Sequence, residues 1–358
     1  MKRQTFLFIL IISCVLLCIL ALALFTLNQH TPVPASWGTA GGPRNTLSDW
    51  LGMIGQTAFF PIPATIVGVL IINRYRRHPI GWLLIAMGLL QPIDRLLAEW
   101  AIYGYYTNPG QPLALIAGWV VNWSWGVLMI LIALLPILFP NGRFLSKGFK
   151  VAFFAVLIAY FGSLLIASTQ ESPMTSAFMI PNPFVAQTTP LYDTLFNVIV
   201  ITMPLLFLLA LGSVGLRFRR SAGRERQQMK WFMASLTMLV VQLFAGFYLG
   251  SVVSGLAIGD ILINVMSLWL ILGIGIALLR HNLYDIDLII RRTFIYAVVS
   301  VLLATIYFGS VILMQSIITA AGGQQSPIIS VLSTLLIAAL FNPLRQRIQA
   351  FIDRRFYR

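Results

Sequence analysis

Charge is scarce in this 358-residue chain, since only 9% of its residues are Asp, Glu, Lys or Arg. Soluble domains carry about 25% charged residues. Hydrophobic residues make up 59% of the chain, and its mean hydropathy is +0.88. These proportions exclude a soluble globular protein and predict a protein that folds within a lipid bilayer.

Residues that bind metals or react with substrates are also rare. The three histidines lie in separate connections without metal-ligand spacing, so neither a metal nor a cofactor is predicted. Cys14 and Cys18 stand one helical turn apart in the first apolar run, a spacing that disfavours a disulfide and predicts two small residues facing lipid or a neighbouring helix. No metalloprotease motif, nucleophile elbow, phosphate loop or kinase signature occurs. We therefore expect no enzymatic activity.

Ten apolar runs approach or exceed the roughly 20 residues that a membrane-spanning helix needs. We place the spans near residues 5–27, 50–72, 80–105, 113–139, 150–168, 191–215, 231–254, 261–279, 294–318 and 327–342. The first run is longer than the apolar part of a signal peptide, so we interpret it as an uncleaved span. The predicted fold class is an all-α, polytopic transmembrane helix bundle of about ten spans.

The basic residues predict the orientation of this bundle. Of the 24 Lys and Arg residues, 22 lie in alternate connections on one side, and the exceptions are Arg44 and Arg95. Cytoplasmic loops carry an excess of Lys and Arg, so both termini are predicted to be cytoplasmic in a multi-pass plasma-membrane protein. The net charge of +14 therefore predicts contact with the anionic lipids of the inner leaflet rather than with nucleic acid.

The predicted organisation has six parts. They are a first span (1–29), an extracytoplasmic loop (30–49), a core of spans two to eight (50–279), a cytoplasmic interfacial hinge (280–293), a hairpin of spans nine and ten (294–342) and a basic amphipathic juxtamembrane helix (343–358). The outer connections are shorter than the roughly 50 residues of a small domain. Any stimulus or substrate is therefore met within the membrane or at its outer edge.

The third span holds the densest group of polar residues. Ionisable residues inside a membrane are candidates for a functional site, and the alternative is a buried ion pair that fixes helix packing. Arg95 and Glu99 are one turn apart and can pair, whereas Asp94 points to another side of the helix. Pro92 leaves the carbonyl of Gly88 without its helical donor. Together with polar and aromatic residues of the fourth span, the candidate site is Gln91, Asp94, Arg95, Glu99, Trp119, Asn122 and Trp123.

Two further features are kinked helices and amphipathic segments. Prolines 61 and 63 interrupt the second span, as in helices that line transporter sites but also in many membrane helices without such a role. The hinge interleaves apolar and charged residues, and the final helix has one apolar and one basic face, as in segments that lie on an inner leaflet. The polar residues of the hinge are Tyr284, Asp285, Asp287, Arg291 and Arg292. Those of the final helix are Arg345, Arg347, Arg354, Arg355 and Arg358.

Five stretches resemble the membrane-embedded N-terminal input regions of bacterial sensor histidine kinases and related signalling proteins. They are "HPIGWLL" (78–84), "LFPNGRFLS" (138–146), "RRSAGRERQQMKWF" (219–232), "LRHNLYDIDLIIRRTFIYA" (279–297) and "LFNPLRQRIQAFIDRRFYR" (340–358). The chain departs from the family pattern at His78, where Asn is expected, and at Asn141, where Asp is usual. It contains neither a phosphoacceptor-histidine helix nor an ATP-binding glycine box, so the resemblance implies a sensory input module without kinase activity.

We therefore expect a two-component sensor that detects a membrane-borne or small apolar stimulus and passes it to a cytoplasmic kinase or other signalling output. That partner follows in the same chain or acts as a separate protein, and a homodimer is one arrangement the sequence allows. The main alternative is a permease or channel that uses Asp94, Arg95 and Glu99. A lipid-modifying or proteolytic membrane enzyme is the third alternative.

Overall fold

The computed structural model describes residues 2–35, 41–169, 177–185, 191–252 and 258–279. All of them belong to the first of two units into which the chain divides, Met1–Leu283. The predicted hinge (280–293), hairpin (294–342) and juxtamembrane helix (343–358) lie outside the described residues.

The described part of the chain is built from helices, without a β-strand in these ranges. Its α-helices are α1 Lys2–Asn28, α2 Leu47–Ile54, α3 Pro61–Arg74, α4 Pro79–Ile102, α5 Ala114–Leu138, α6 Lys147–Ala167, α7 Leu191–Arg220, α8 Gly223–Val252 and α9 Ile258–Leu279. Two π-helical turns interrupt this pattern. The first π turn, Gly55–Phe59, joins α2 to α3, and the second π turn, Tyr103–Thr107, extends α4.

Six described helical segments are long and apolar enough to cross a membrane. They are Gln4–Asn28, Leu47–Arg74, Pro79–Thr107, Ala114–Leu138, Lys147–Ala167 and Thr194–Arg220. They match the first six predicted spans to within a few residues at most ends, which confirms, for the described residues, an all-helical fold with several helices long and apolar enough to span a membrane. Helix α8 covers the predicted seventh span, and the apolar part of α9, Leu268–Leu279, covers much of the eighth.

Local sequence signals account for several helix boundaries. Pro79 occupies the first turn of α4, where its missing N–H costs nothing and its fixed φ favours a helix. Thr46 and Asp49 form a reciprocal capping box at the start of α2. The Ser146 side chain accepts the Phe149 N–H at the start of α6.

Helices α3 and α4 approach each other closely along a line of glycines. A Cβ atom added to Gly68 would lie 2.7 Å from the Gly81 carbonyl oxygen. One added to Gly88 would lie 2.7 Å from the Pro61 carbonyl oxygen. Since real Cβ atoms do not come this close, glycine is required for the two backbones to touch. This contact fixes where α4 places its polar residues.

The apolar core next to this contact gathers residues from six helices. Its buried side chains come from α3, α4, α5, α7, α8 and α9, among them Ile71, Leu84, Leu135, Phe232 and Ile274. The Phe139 ring, just past α5, stacks on Phe232 of α8 with centroids 4.4 Å apart. Helix α9 is therefore packed into the same core as α3 and α4.

Candidate intramembrane polar site

The charged residues of α4 belong to two separate clusters. The first, which we call the middle cluster, consists of Gln56, Asp94, Arg95 and Ser124. Arg95 donates from Nε and Nη2 to Asp94 Oδ2 over 3.1 and 2.5 Å, and from Nη1 to Gln56 Oε1 over 3.1 Å. The Ser124 hydroxyl donates to Asp94 Oδ1. The middle cluster therefore ties α4 to the first π turn on one side and to α5 on the other.

The middle cluster lies about halfway along the span Pro79–Thr107. The Asp94 side chain is 15% exposed and that of Arg95 is 31% exposed. A charged side chain at the centre of a bilayer is costly unless it is paired or meets water. Asp94 and Arg95 are paired with each other, and part of the Arg95 side chain stays exposed.

The second group, which we call the end cluster, surrounds Glu99 and consists of Asn28, Arg44, Glu99 and Thr107. Glu99 is only 3% exposed. Arg44 donates Nη1 to Oε1 over 2.7 Å and Nη2 to Oε2 over 2.9 Å. Asn28 donates Nδ2 to Glu99 Oε2 and to its backbone oxygen, and its own Oδ1 accepts the Thr107 hydroxyl. Both oxygens of this buried carboxylate thus accept hydrogen bonds, and Arg44 balances its charge.

Arg44 also connects the two long loops at this end of the bundle. Its guanidinium carbon lies 5.1 Å from the ring centroid of Phe25, in α1, and 5.6 Å from that of Phe178, in the connection between α6 and α7. Such cation–π contacts add to the ion pair and hold the side chain between two rings. The connection before α2 and the connection before α7 therefore meet over Glu99.

The predicted pairing of Arg95 with Glu99 is wrong. Spacing alone brings the two residues to one face of α4, but Arg95 is long enough to fold back on its neighbour Asp94, and Glu99 lies nearer the helix end, where Arg44 reaches it. Asp94 and Arg95 therefore act together, although their Cβ atoms point in different directions.

The other predicted site residues contribute less to these clusters. Trp119 donates Nε1 to the Ser168 carbonyl over 2.8 Å, and its ring packs edge-on against Trp123 and Phe184. Trp123 also packs on the core between α5, α6 and α7. Gln91 is half-buried in α4, and the Asn122 carbonyl accepts the Trp125 Nε1–H over 2.9 Å.

Sequence reasoning missed several members of the clusters, which are Asn28, Arg44, Gln56, Thr107 and Ser124. One signal was available: Arg44 is the only basic residue assigned to an outer connection. A basic residue on the side with few charges indicates that a buried carboxylate lies nearby. The amide and hydroxyl residues carry no comparable signal.

The two cysteines supply hydrogen-bond donors at the proline kinks. Pro61 lacks the N–H that would bond the Thr57 carbonyl in an α-helix, and Pro92 lacks the N–H that would bond the Gly88 carbonyl. Cys18 Sγ donates to the Thr57 oxygen over 2.8 Å, and Cys14 Sγ donates to the Gly88 oxygen over 3.4 Å. Both thiols are free and buried. Helix α1 thus satisfies a freed backbone carbonyl in each of its two neighbours.

At the opposite end of the bundle, which we call the basic end, the connections 75–78, 139–146 and 221–222 meet. Asn141 Nδ2 donates to Glu225 Oε1 over 2.9 Å. Arg217 donates Nη2 to the carbonyls of Ile137 and Arg143 over 2.9 and 2.7 Å. Burial lowers the pKa of His78 from its ordinary value of 6.5, although a contact with the Pro140 backbone opposes the shift. These contacts join three of the stretches on which the family resemblance depends.

The C-terminal end of α9 is held at the basic end. Arg74 Nη1 donates to the Leu279 carbonyl over 2.5 Å, and the Tyr75 hydroxyl donates to the Leu278 carbonyl over 3.3 Å. Both side chains therefore bind backbone oxygens in the last described turn of α9. Helix α9 also packs against α3 and against the first π turn.

Among the described residues, no three His, Cys, Asp or Glu side chains are placed to hold a metal ion. The site therefore consists of ion pairs, hydrogen bonds and proline kinks within a helix bundle. Comparison with known proteins gives no match: neither a family model, nor a curated protein, nor a solved structure is significantly similar to this chain.

Proposed function

We propose that this protein is a sensory input module of the plasma membrane, with ten spans and both termini in the cytoplasm. It detects a membrane-borne or small apolar stimulus and passes it to a cytoplasmic kinase or another signalling output, in the same chain or as a separate protein. The chain itself is not catalytic. The basic connections lie against the anionic inner leaflet.

The middle cluster is the observation that carries this proposal. It links three consecutive spans through one ion pair, and the pair neutralises its own charge. A polar group whose hydrogen bonds are made inside a helix bundle is sensitive to the positions of the helices. A small displacement breaks these hydrogen bonds, and lipid offers no replacement for them. Such an arrangement suits the detection of a change in packing better than the passage of a solute.

The position of α9 supports the proposed route from the middle cluster to the cytoplasmic output. Its last carbonyls are held by Arg74 and Tyr75, and the predicted hinge begins at the next residue, 280. A movement of α3 against α9 would therefore reach the hinge directly. From there the hairpin and the juxtamembrane helix would carry it to the output.

The decisive experiment fuses a histidine kinase core after Arg358 and measures autophosphorylation in membranes. In one variant Asp94 and Arg95 are both replaced by Leu, and in a matched control only Ala86, an exposed residue of the same helix, is replaced by Leu. We expect the double variant to change kinase output several-fold and the control to leave it unchanged. Equal output from all three proteins would refute a sensory role for the middle cluster.

Arg95 supports a second candidate function, that of a permease or channel. Its side chain is 31% exposed near the centre of a span, next to a π turn, and discontinuous helices of this kind often line transport sites. Reconstituted vesicles distinguish the two functions. Solute flux that disappears when Asp94 and Arg95 are replaced, with no effect on a fused kinase, would favour transport.

A further inference from the structure

The first π turn has one more residue than the α-helical path would need. In a π turn the N–H groups bond to the fifth preceding carbonyl instead of the fourth, and such turns occur mostly as single interruptions, frequently at functional sites. Phe60 separates the turn Gly55–Phe59 from Pro61, which lacks the N–H that an α-helical bond to the Thr57 carbonyl would need. The register of α2 relative to α3 is therefore set within these five residues.

Four contacts hold this turn in place. Gln56 accepts a hydrogen bond from Arg95 of the middle cluster. The Thr57 carbonyl accepts the thiol of Cys18, and the Thr57 hydroxyl bonds to the Met53 carbonyl over 2.7 Å. Helix α9 packs against the same turn. The turn thus touches both the middle cluster and the helix that leads to residue 280.

The second π turn repeats this relationship at the end cluster. Its last residue, Thr107, donates to Asn28, which in turn donates to Glu99. Each polar cluster in the described spans therefore includes one side chain supplied by a π turn. This recurrence argues against an incidental irregularity of the first turn.

We propose that the first π turn is a two-state switch, in which loss of the Gln56–Arg95 hydrogen bond lets the widened turn tighten to an α-helical one. This inference rests on the proposed sensory role and names its moving part. Tightening by one residue rotates α2 by about 100° and shifts it by about 1.5 Å along its axis, because an α-helix has 3.6 residues per turn. The surface that the turn presents to α9 changes with it.

A distance measurement tests the switch without reference to any output. Leu51→Cys in α2 and Leu272→Cys in α9 place nitroxide labels at two exposed positions, in a Cys14→Ser, Cys18→Ser background that keeps both donors. Deletion of Ala58 removes the extra residue, so the turn becomes α-helical while α2 keeps its position and the label distance of the parent protein. Tightening without this deletion moves the label in α2 by up to roughly 8 Å, since a helix with side chains is 10–12 Å across.

Gln56→Ala and Asp94→Asn, in the full-length protein in lipid vesicles, are expected to populate a second distance that differs from that of the parent by up to roughly 8 Å. Ala86→Leu, at an exposed position of α4, is the matched control and keeps the distribution of the parent protein. Distributions for Gln56→Ala and Asp94→Asn that coincide with the parent would overturn the switch. This comparison with the parent holds even if the deletion variant does not fold.

The fused kinase separates failure of the switch from failure of the sensory role. Output that changes on replacement of Asp94 and Arg95, while the label distances stay constant, refutes the switch and leaves the sensory role standing. Distances that shift while output stays constant support the switch and refute the sensory role.

Discussion

Arg44 and Glu99 form a two-pronged ion pair across 55 residues of sequence, with N–O distances of 2.7 and 2.9 Å. Arg44 is also the basic residue that departs from the charge bias of the connections. The exception has a structural reason, because a carboxylate that is only 3% exposed requires a cation on that side of the bundle.

Replacing Arg44 by Gln should strongly destabilise the protein. The buried Glu99 then loses its partner, and breaking a buried pair from one side costs about 3–5 kcal/mol. The thermal unfolding midpoint in detergent measures the loss, and Arg76→Gln, an exposed residue at the basic end, is the control. Replacing Arg44 and Glu99 together by Leu should restore most of the stability. A double variant as unstable as the single one would show that the charges are not the reason.

Cys18→Ala should cost about 1–3 kcal/mol, because it leaves the Thr57 carbonyl unsatisfied in an apolar environment. Cys18→Ser, which keeps a donor, should lose much less. Cys14→Ala should cost less than Cys18→Ala, since its contact is longer at 3.4 Å.

A double-mutant cycle with Pro61 tests the reason for the cysteine effect. Pro61→Ala restores an N–H that can bond the Thr57 carbonyl, so the thiol becomes redundant. We expect Cys18→Ala to be nearly neutral in this background. An undiminished cost would mean that the thiol acts through packing alone.

Gly88→Ala should destabilise the bundle by about 1–3 kcal/mol, the usual range for overpacking. The added methyl would meet the Pro61 carbonyl at 2.7 Å, so α3 and α4 must separate. Gly162→Ala is the matched control, since a Cβ there meets nothing within 4 Å. Thermal unfolding of the two variants should differ clearly, and equal midpoints would contradict the close approach of α3 to α4.

Acidification should destabilise the basic end through His78. Burial lowers the pKa of His78 below 6.5, so the folded state disfavours the protonated form. The contribution of neutral His78 to the free energy of unfolding is complete above pH 6.5. It decreases as the pH falls below 6.5, because the unfolded chain then binds the proton more readily than the folded protein does. His78→Asn, which removes the titrating imidazole, should flatten this pH dependence. Unfolding midpoints between pH 5 and 8 measure the difference.

The spans were predictable from sequence because apolar length and charge bias act on whole segments of about 20 residues. The freed carbonyl of Gly88 was predictable as well, since Pro92 alone determines it. Its donor, Cys14, was not, because that contact depends on which helix lies beside α4. The Arg95 pairing failed for a related reason: residue spacing locates Cβ atoms but not the end of a long, flexible side chain.

The thiols of α1 have a consequence for biosynthesis. Helix α1 is made before residues 57 and 88, whose carbonyls it satisfies. Both hydrogen bonds can therefore form only after these later segments have been synthesised. A chain expressed without α1 would present two bare peptide oxygens to hydrocarbon, and supplying α1 as a separate peptide should rescue its assembly.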